Sequence, residues 1–280
     1  MNLAGKVAVI TGAGGGFGQA FCHSFLNSGV HVMALDVTNT GLEAMLSELP
    51  LGDQRSLKTK VVDISNFSQC QGAIEDAITA FGKIDILINN AGLGMGAIRE
   101  DHHLKMVGID EVAPEVWNHV IAVNLTGPWN MTKAAIPQLR LSEAGRIINI
   151  TTSFFTMLRG NFHPYGPSKS GFEAMSAGHA DEFRDEGITV NVIVPGGPAN
   201  TPMVPVGSGF DRDLLVPAVK MTYPALWLCS AEAQGITGKR FVAGSWNPNS
   251  SLEENRRITE APIGWPDLAQ TPIWPGGKPD

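Results

Sequence analysis

Short apolar runs alternate with longer periodic stretches through most of the chain. Val7-Ala8-Val9-Ile10, His31 to Leu35, Lys58 to Val62, Ile84 to Ile88, Arg146 to Ile150, Thr189 to Val194 and Arg240 to Gly244 read as strands. Most are apolar throughout, as strands covered on both faces must be. Between them lie helical patterns: Gln19 to Leu26, with Phe17, Phe21 and Phe25 on one side, then Thr40 to Leu49, Gln71 to Phe81 closed by Gly82, Pro114 to Leu139, Ser168 to Arg184 and Pro224 to Ala233. This alternation predicts an α/β domain, a doubly wound parallel sheet covered by helices on both sides. Loops occupy the stretch from Asn89-Asn90-Ala91-Gly92 to about Ala113 and the Pro/Gly-rich region from Pro195 to Met221.

The first strand runs into Thr11-Gly12-Ala13-Gly14-Gly15-Gly16-Phe17-Gly18 and then into a helix. In such a turn the absence of side chains lets a pyrophosphate approach, and the helix N-terminus offers N–H donors and positive dipole. The second strand ends in Asp36, about 20 residues on, where a carboxylate can accept the hydroxyls of an adenosine ribose. The same charge would repel a 2′-phosphate, and neither Gly15 nor Val37 is a cation. NAD is therefore expected in preference to NADP.

Tyr165 and Lys169 are four apart near a predicted helix start, hence on one face. A tyrosine with an ordinary pKa of about 10 must fall by roughly three units, or about 4 kcal/mol, to act as a base near neutrality. A partly desolvated ammonium, helped by a positive nicotinamide ring, can supply that.

Taken together, Thr11-Gly12-x-x-x-Gly16-x-Gly18, Asn89-Asn90-Ala91-Gly92, Tyr165-x-x-x-Lys169 and Pro195-Gly196 resemble the motifs of the short-chain dehydrogenase/reductases, over residues 1 to about 245. The resemblance implies a Rossmann-like seven-stranded sheet, NAD(P)-dependent alcohol–ketone interconversion and a homotetramer or homodimer. By the same resemblance Tyr165 is the general acid/base and Lys169 holds the nicotinamide ribose and lowers the tyrosine pKa. Asn124 belongs to a proton relay through a backbone-bound water. Gly12, Gly14, Gly16, Phe17, Gly18, Asp36 and Val37 are assigned to the cofactor, with Asp63 and Ile64 at the adenine, Asn90, Ala91 and Gly92 along the ribose, and Pro195, Gly196 and Thr201 at the carboxamide end. Two positions depart from the family pattern. The substrate-orienting serine falls on Thr152 by register, with Ser153 one residue later, and both stay open as candidates. The stretch before Thr201 is one residue longer, and Pro198 within it has no N–H.

Composition narrows the picture. A chain of 280 residues suits one well-buried domain. A net charge of −7 without a basic cluster argues against nucleic acid or an anionic membrane surface. Cys22, Cys70 and Cys229 are expected as buried reduced thiols. No long apolar run or leader is visible, so a cytoplasmic protein is expected. No metal site is expected: His102 and His103, beside Glu100 and Asp101, are adjacent and read as an exposed loop. By the same resemblance Phe154, Phe155, Met157, Leu158 and Phe162 border the alcohol or ketone substrate, and an apolar pocket is expected if they face inward. The reading that follows is an NAD-dependent dehydrogenase; the alternatives are an NADPH-dependent ketone or acyl-thioester reductase and a non-catalytic dinucleotide sensor. Residues 246–280 form a Pro/Trp-containing extension beyond the domain at 1–245. Its prolines argue against a helix or strand, and its tryptophans suggest that residues 250–276 run extended over a neighbouring subunit.

Overall fold

The computed structural model describes residues 2–48 and 53–268. Eight strands form one sheet in the order β3-β2-β1-β4-β5-β6-β7-β8. They are β1 (Val7–Thr11), β2 (His31–Asp36), β3 (Leu57–Val61), β4 (Ile86–Asn89), β5 (Arg146–Ile150), β6 (Thr189–Val194), β7 (Lys239–Val242) and β8 (Glu260–Pro262). The first seven pair in parallel, and β8 is antiparallel to β7. The expected doubly wound sheet is thus present with one strand more than expected.

Side chains alternate between two cores. Ala8 and Ile10 of β1 point to one side with Phe21 and Phe25 of α1 (Gly16–Asn27), and Val9 points to the other. The second core holds α3 (Phe67–Phe81) and α5 (Gly127–Leu139), and α2 (Thr40–Glu48) flanks β2 and β3. The strand order reverses between β1 and β4, which opens a crevice at the carboxyl ends of the strands, where ligands of such sheets bind.

The long helix expected over 114–139 is interrupted. It consists of α4 (Pro114–Ile121), a π-helical turn (Ala122–Thr126) and α5. At the turn the Gly127 N–H reaches back five residues to the Ala122 carbonyl. Such single-turn bulges shift the helix register locally and recur at functional sites. α6 (Phe154–Leu158) follows β5, α7 spans Tyr165–Glu182, and α8 spans Thr222–Leu228.

Where described, the extension forms a helix and a strand. α9 (Leu252–Thr259) starts at Ser251, whose hydroxyl accepts the Glu254 N–H. Glu253 and Glu254 in its first turn and Arg256 and Arg257 in its last complement the helix dipole. β8 then closes the open edge of β7 on the same chain. This corrects the expectation that the prolines keep the segment from forming helix or strand. Trp274 and the prolines around it lie outside the described residues. Among the described residues no helix is long and apolar enough to cross a membrane.

Candidate active site

The glycine turn has the shape of a phosphate cradle. Gly12 has φ +63°, and a Cβ on it would lie 2.7 Å from Ala91 Cα. A Cβ on Gly18 would run into the Gly12 carbonyl oxygen. No side chain caps α1 at Gly15, so its first N–H groups are available to an anion. Phe17 packs against the first core. Asn90 braces the turn from β4, donating to the carbonyls of Thr11 (2.9 Å) and Gly12 (3.0 Å). The Thr11 hydroxyl accepts the N–H groups of Asn90 and Ala91, a bracing role that motif reading did not assign to it.

Asp36 stands at the tip of β2. Its Oδ2 accepts the Gly14 N–H at 2.9 Å, and its Oδ1 accepts the N–H (3.0 Å) and hydroxyl (3.2 Å) of Thr38. The carboxylate is thereby fixed beside the cradle, and the neighbouring Val37 is 65% exposed. Asp63 is held by the Ser65 N–H and hydroxyl, whereas Ile64 turns its side chain into the core and its carbonyl accepts the Asn130 amide at 2.9 Å. Thr201 lies across from Gly16, whose Cβ would come within 3.2 Å of its side chain. The longer stretch before Thr201 is tied down by Val216, which bonds the Pro198 carbonyl and the Asn200 N–H, each at 2.9 Å. Arg212 adds bonds to Asn200 Oδ1 and the Val204 carbonyl. Gly196 takes φ +88°, and the Pro195 carbonyl accepts the Gly244 N–H. These features fit a dinucleotide.

α7 lays a row of polar side chains against the end of β5. Burial holds the Tyr165 phenol above the usual tyrosine range, and the neighbouring Thr152 hydroxyl offsets part of that rise. Ser153 is engaged elsewhere: its hydroxyl caps α6 by accepting the Thr156 N–H at 3.2 Å and lies 2.9 Å from Thr156 Oγ1. Of the two candidates, Thr152 is the one whose hydroxyl acts on the tyrosine's pKa. Lys169 is buried, and its Nζ donates to the Ile150 carbonyl at 2.9 Å. Burial brings its pKa down to about 8.

Asn124 is fully buried in the π turn. Its Oδ1 accepts the Leu93 N–H (2.7 Å), and its Nδ2 donates to the Leu93 carbonyl (2.9 Å) and to Ser168 Oγ (3.0 Å). A Cβ on Gly92 would lie 3.3 Å from both Asn124 Oδ1 and Lys169 Nζ, so a bare glycine lets the two groups share this space. Ser168, which anchors Asn124, was not singled out from the sequence, although it directly precedes Lys169.

The apolar segment is only partly inward. Met157 is buried, but Phe155 and Leu158 are each 73% exposed. His102 is buried, not exposed, with Nδ1 3.1 Å from the Arg99 carbonyl and its ring 3.7 Å from that of His103. Among the described residues no group of three His, Cys, Asp or Glu side chains is placed to hold a metal. The three cysteines are free and buried.

A braced glycine turn at the head of a doubly wound sheet, with a tyrosine and a buried lysine on one helix face, defines a nicotinamide-dependent oxidoreductase. The short chain dehydrogenase family model matches residues 6–207, and the chain belongs to that family. It is 34% identical over 258 residues to the 2,5-dichloro-2,5-cyclohexadiene-1,4-diol dehydrogenase LinX of Sphingobium indicum, covering 88% of this chain and 98% of that one. Among solved structures it resembles the 3-ketoacyl-(acyl-carrier-protein) reductase of Brucella melitensis complexed with NADH (TM-score 0.71, 29% identity, 84% of this chain and 95% of that one). It also resembles a short chain dehydrogenase of Mycobacterium paratuberculosis bound to NAD (TM-score 0.73, 25% identity, 85% and 95%).

Proposed function

We propose that the chain is an NAD-preferring dehydrogenase of secondary alcohols, with Tyr165 as general acid/base. The observation that carries this reading is the buried Lys169, held by the Ile150 carbonyl at 2.9 Å on the helix face that also bears Tyr165. Bound nicotinamide dinucleotide supplies the hydride acceptor or donor. Gly12 to Gly18, Asp36, Asp63, Asn90 and Thr201 would hold it. Tyr165 takes the proton of the substrate hydroxyl in oxidation and returns it in reduction. Thr152 donates to the substrate oxygen beside the phenol. Lys169, while protonated, favours the phenolate and passes the proton outward. Both ends of the Asn124 amide are occupied, which supports a relay role for backbone at the π turn and not for its side chain. This intact set is of no use to a sensor.

The preference for NAD rests on Asp36: a 2′-phosphate would meet a carboxylate with no cation beside it. The same charge argues against an NADPH-dependent acyl-thioester reductase. The likeness to a cyclohexadienediol dehydrogenase and the apolar segment at 154–162 support a cyclic, largely apolar secondary alcohol. A homo-oligomer in the cytoplasm completes the reading. The test is reduction of NAD+ or NADP+ at 340 nm by the purified protein with a panel of cyclic secondary alcohols and diols. NADH formation with at least one of them, and slower reaction with NADP+, is expected. Inertness toward the panel and toward the matching ketones with NADH would overturn it.

A further inference from the structure

An ion pair lies under the reaction centre. Glu173, on α7 two turns beyond Tyr165, is fully buried, and its Oε1 meets Arg240 Nη1 of β7 at 3.0 Å. Oε2 accepts the Thr151 hydroxyl at 2.7 Å. Arg240 Nη2 donates to the Thr152 carbonyl at 2.6 Å. The two residues that follow β5 are therefore each tied to one member of the pair, and the second of them carries the hydroxyl beside the Tyr165 phenol.

The extension closes over this arrangement. Oε1 of Glu173 also accepts the Gly264 N–H at 3.2 Å. The Arg240 guanidinium sits 4.0 Å from the centre of the Phe154 ring, which in turn packs 5.2 Å from Trp265. Ile263, buried against Val192 and Val194, bonds the Gly238 carbonyl through its N–H at 3.1 Å. Gly264 and Trp265 lie beyond the residues matched by the family model.

A pair so deeply buried is weak support for the fold, because desolvation of both charges offsets much of their attraction. Apolar residues of similar volume often serve stability equally well. What they cannot do is direct a carbonyl and a hydroxyl on adjacent residues into one orientation. We propose that Glu173 and Arg240 are positioning residues that hold the Thr151–Thr152 turn, and with it the Thr152 hydroxyl, against Tyr165. The C-terminal extension belongs to the site as the cover that completes and shields this pair. The inference rests on the reading of Tyr165 and Thr152 as the reaction centre.

The chain contains two tyrosines, Tyr165 and Tyr223, so a Tyr223→Phe background leaves Tyr165 as the sole phenol. Its ionisation can then be followed by tyrosinate absorbance near 295 nm without any substrate. In that background Glu173→Leu with Arg240→Met removes the pair and retains apolar bulk. The expected result is an upward move of the tyrosinate midpoint by about half a unit to one unit, the size of one lost hydrogen bond. Thr152→Val should give the same move. The urea midpoint should be unchanged or higher. With a turned-over substrate, kcat should fall about tenfold or more while KM and NAD+ affinity stay within about threefold, as for a group that acts on orientation alone. Glu173→Gln and Arg240→Lys, which keep some of the bonds, should give intermediate values and cover the case in which the double variant does not fold. Trp265→Ala should shift the midpoint in the same direction by less.

A folded double variant whose tyrosinate midpoint stays with the parent would overturn the proposal, as would a fall in urea midpoint with no change at Tyr165. A Trp265→Ala midpoint equal to the parent would overturn the role of the extension. Inertness of the parent toward alcohols would count against the proposed function and leave the titration to decide this point.

Discussion

Lys169→Met tests the cost of keeping a cation inside the site. The lysine is buried, and its pKa falls from 10.5 to about 8 through desolvation. Each pH unit between folded and unfolded values is worth 1.36 kcal/mol. Below pH 8 both folded and unfolded chains hold the proton, and the fold bears the full cost, about 3 kcal/mol. Between pH 8 and 10.5 the unfolded chain binds more protons than the folded one, so the contribution of this group to stability rises with pH. Above 10.5 the cost is gone. Methionine removes the charge with similar bulk, but it leaves the Ile150 carbonyl without its 2.9 Å partner, a loss of about 1–3 kcal/mol. The carbonyl term is the same at every pH. The difference between wild type and variant should therefore change by about 2–3 kcal/mol between pH 7 and pH 10.5, with the variant favoured at the lower pH. Urea denaturation of both proteins at the two pH values measures it. Parallel stability curves would refute the reasoning, because they would mean that Lys169 is no costlier as a cation in the fold than in water.

Other outcomes follow from the same geometry. Asp36→Ala should narrow the ratio of kcat/KM for NAD+ over NADP+ by about tenfold, through loss of one like-charge repulsion of about 1–2 kcal/mol; a wild type that already prefers NADP+ would refute the cofactor reading. Thr152→Val should lower kcat by roughly 10²-fold, as expected for a donor to the reacting oxygen. Ser153→Ala should instead cost about 1 kcal/mol of stability through the lost α6 cap, with kcat within about threefold. Gly92→Ala puts a methyl group 3.3 Å from both Asn124 Oδ1 and Lys169 Nζ. It should lower both kcat and calorimetric NAD+ affinity, since the contact crowds the relay and the lysine assigned to the nicotinamide ribose.

The sheet was legible because its strands are almost uninterrupted apolar runs, and the phosphate turn because few other arrangements need so many glycines between strand and helix. The Tyr165–Lys169 face was legible from a spacing of four. What escaped were features decided by one residue of register or by distant partners. The extra residue in the turn at 122–126 leaves no mark in hydrophobic periodicity. The choice between Thr152 and Ser153 is a one-residue question at a strand end. Ser153 caps α6, which favours Thr152, the position that the family register also gives. α9 carried a readable capping pattern, Ser251 followed three residues later by Glu254, which the surrounding prolines outweighed. Glu173 could be read only as an acid on the Tyr165 face, because its partner Arg240 stands far along the chain on another strand.

Tyr165→Phe tests the central claim most directly. The substitution removes one oxygen and its proton and leaves the glycine turn, Asp36 and Lys169 untouched. Turnover with NAD+ and the best alcohol, measured alongside NAD+ affinity by fluorescence quenching, should fall by at least 10²-fold with affinity within about threefold, the worth of a general acid/base. A variant that keeps more than about a tenth of the wild-type rate would contradict the assignment of Tyr165 as the proton-transferring group.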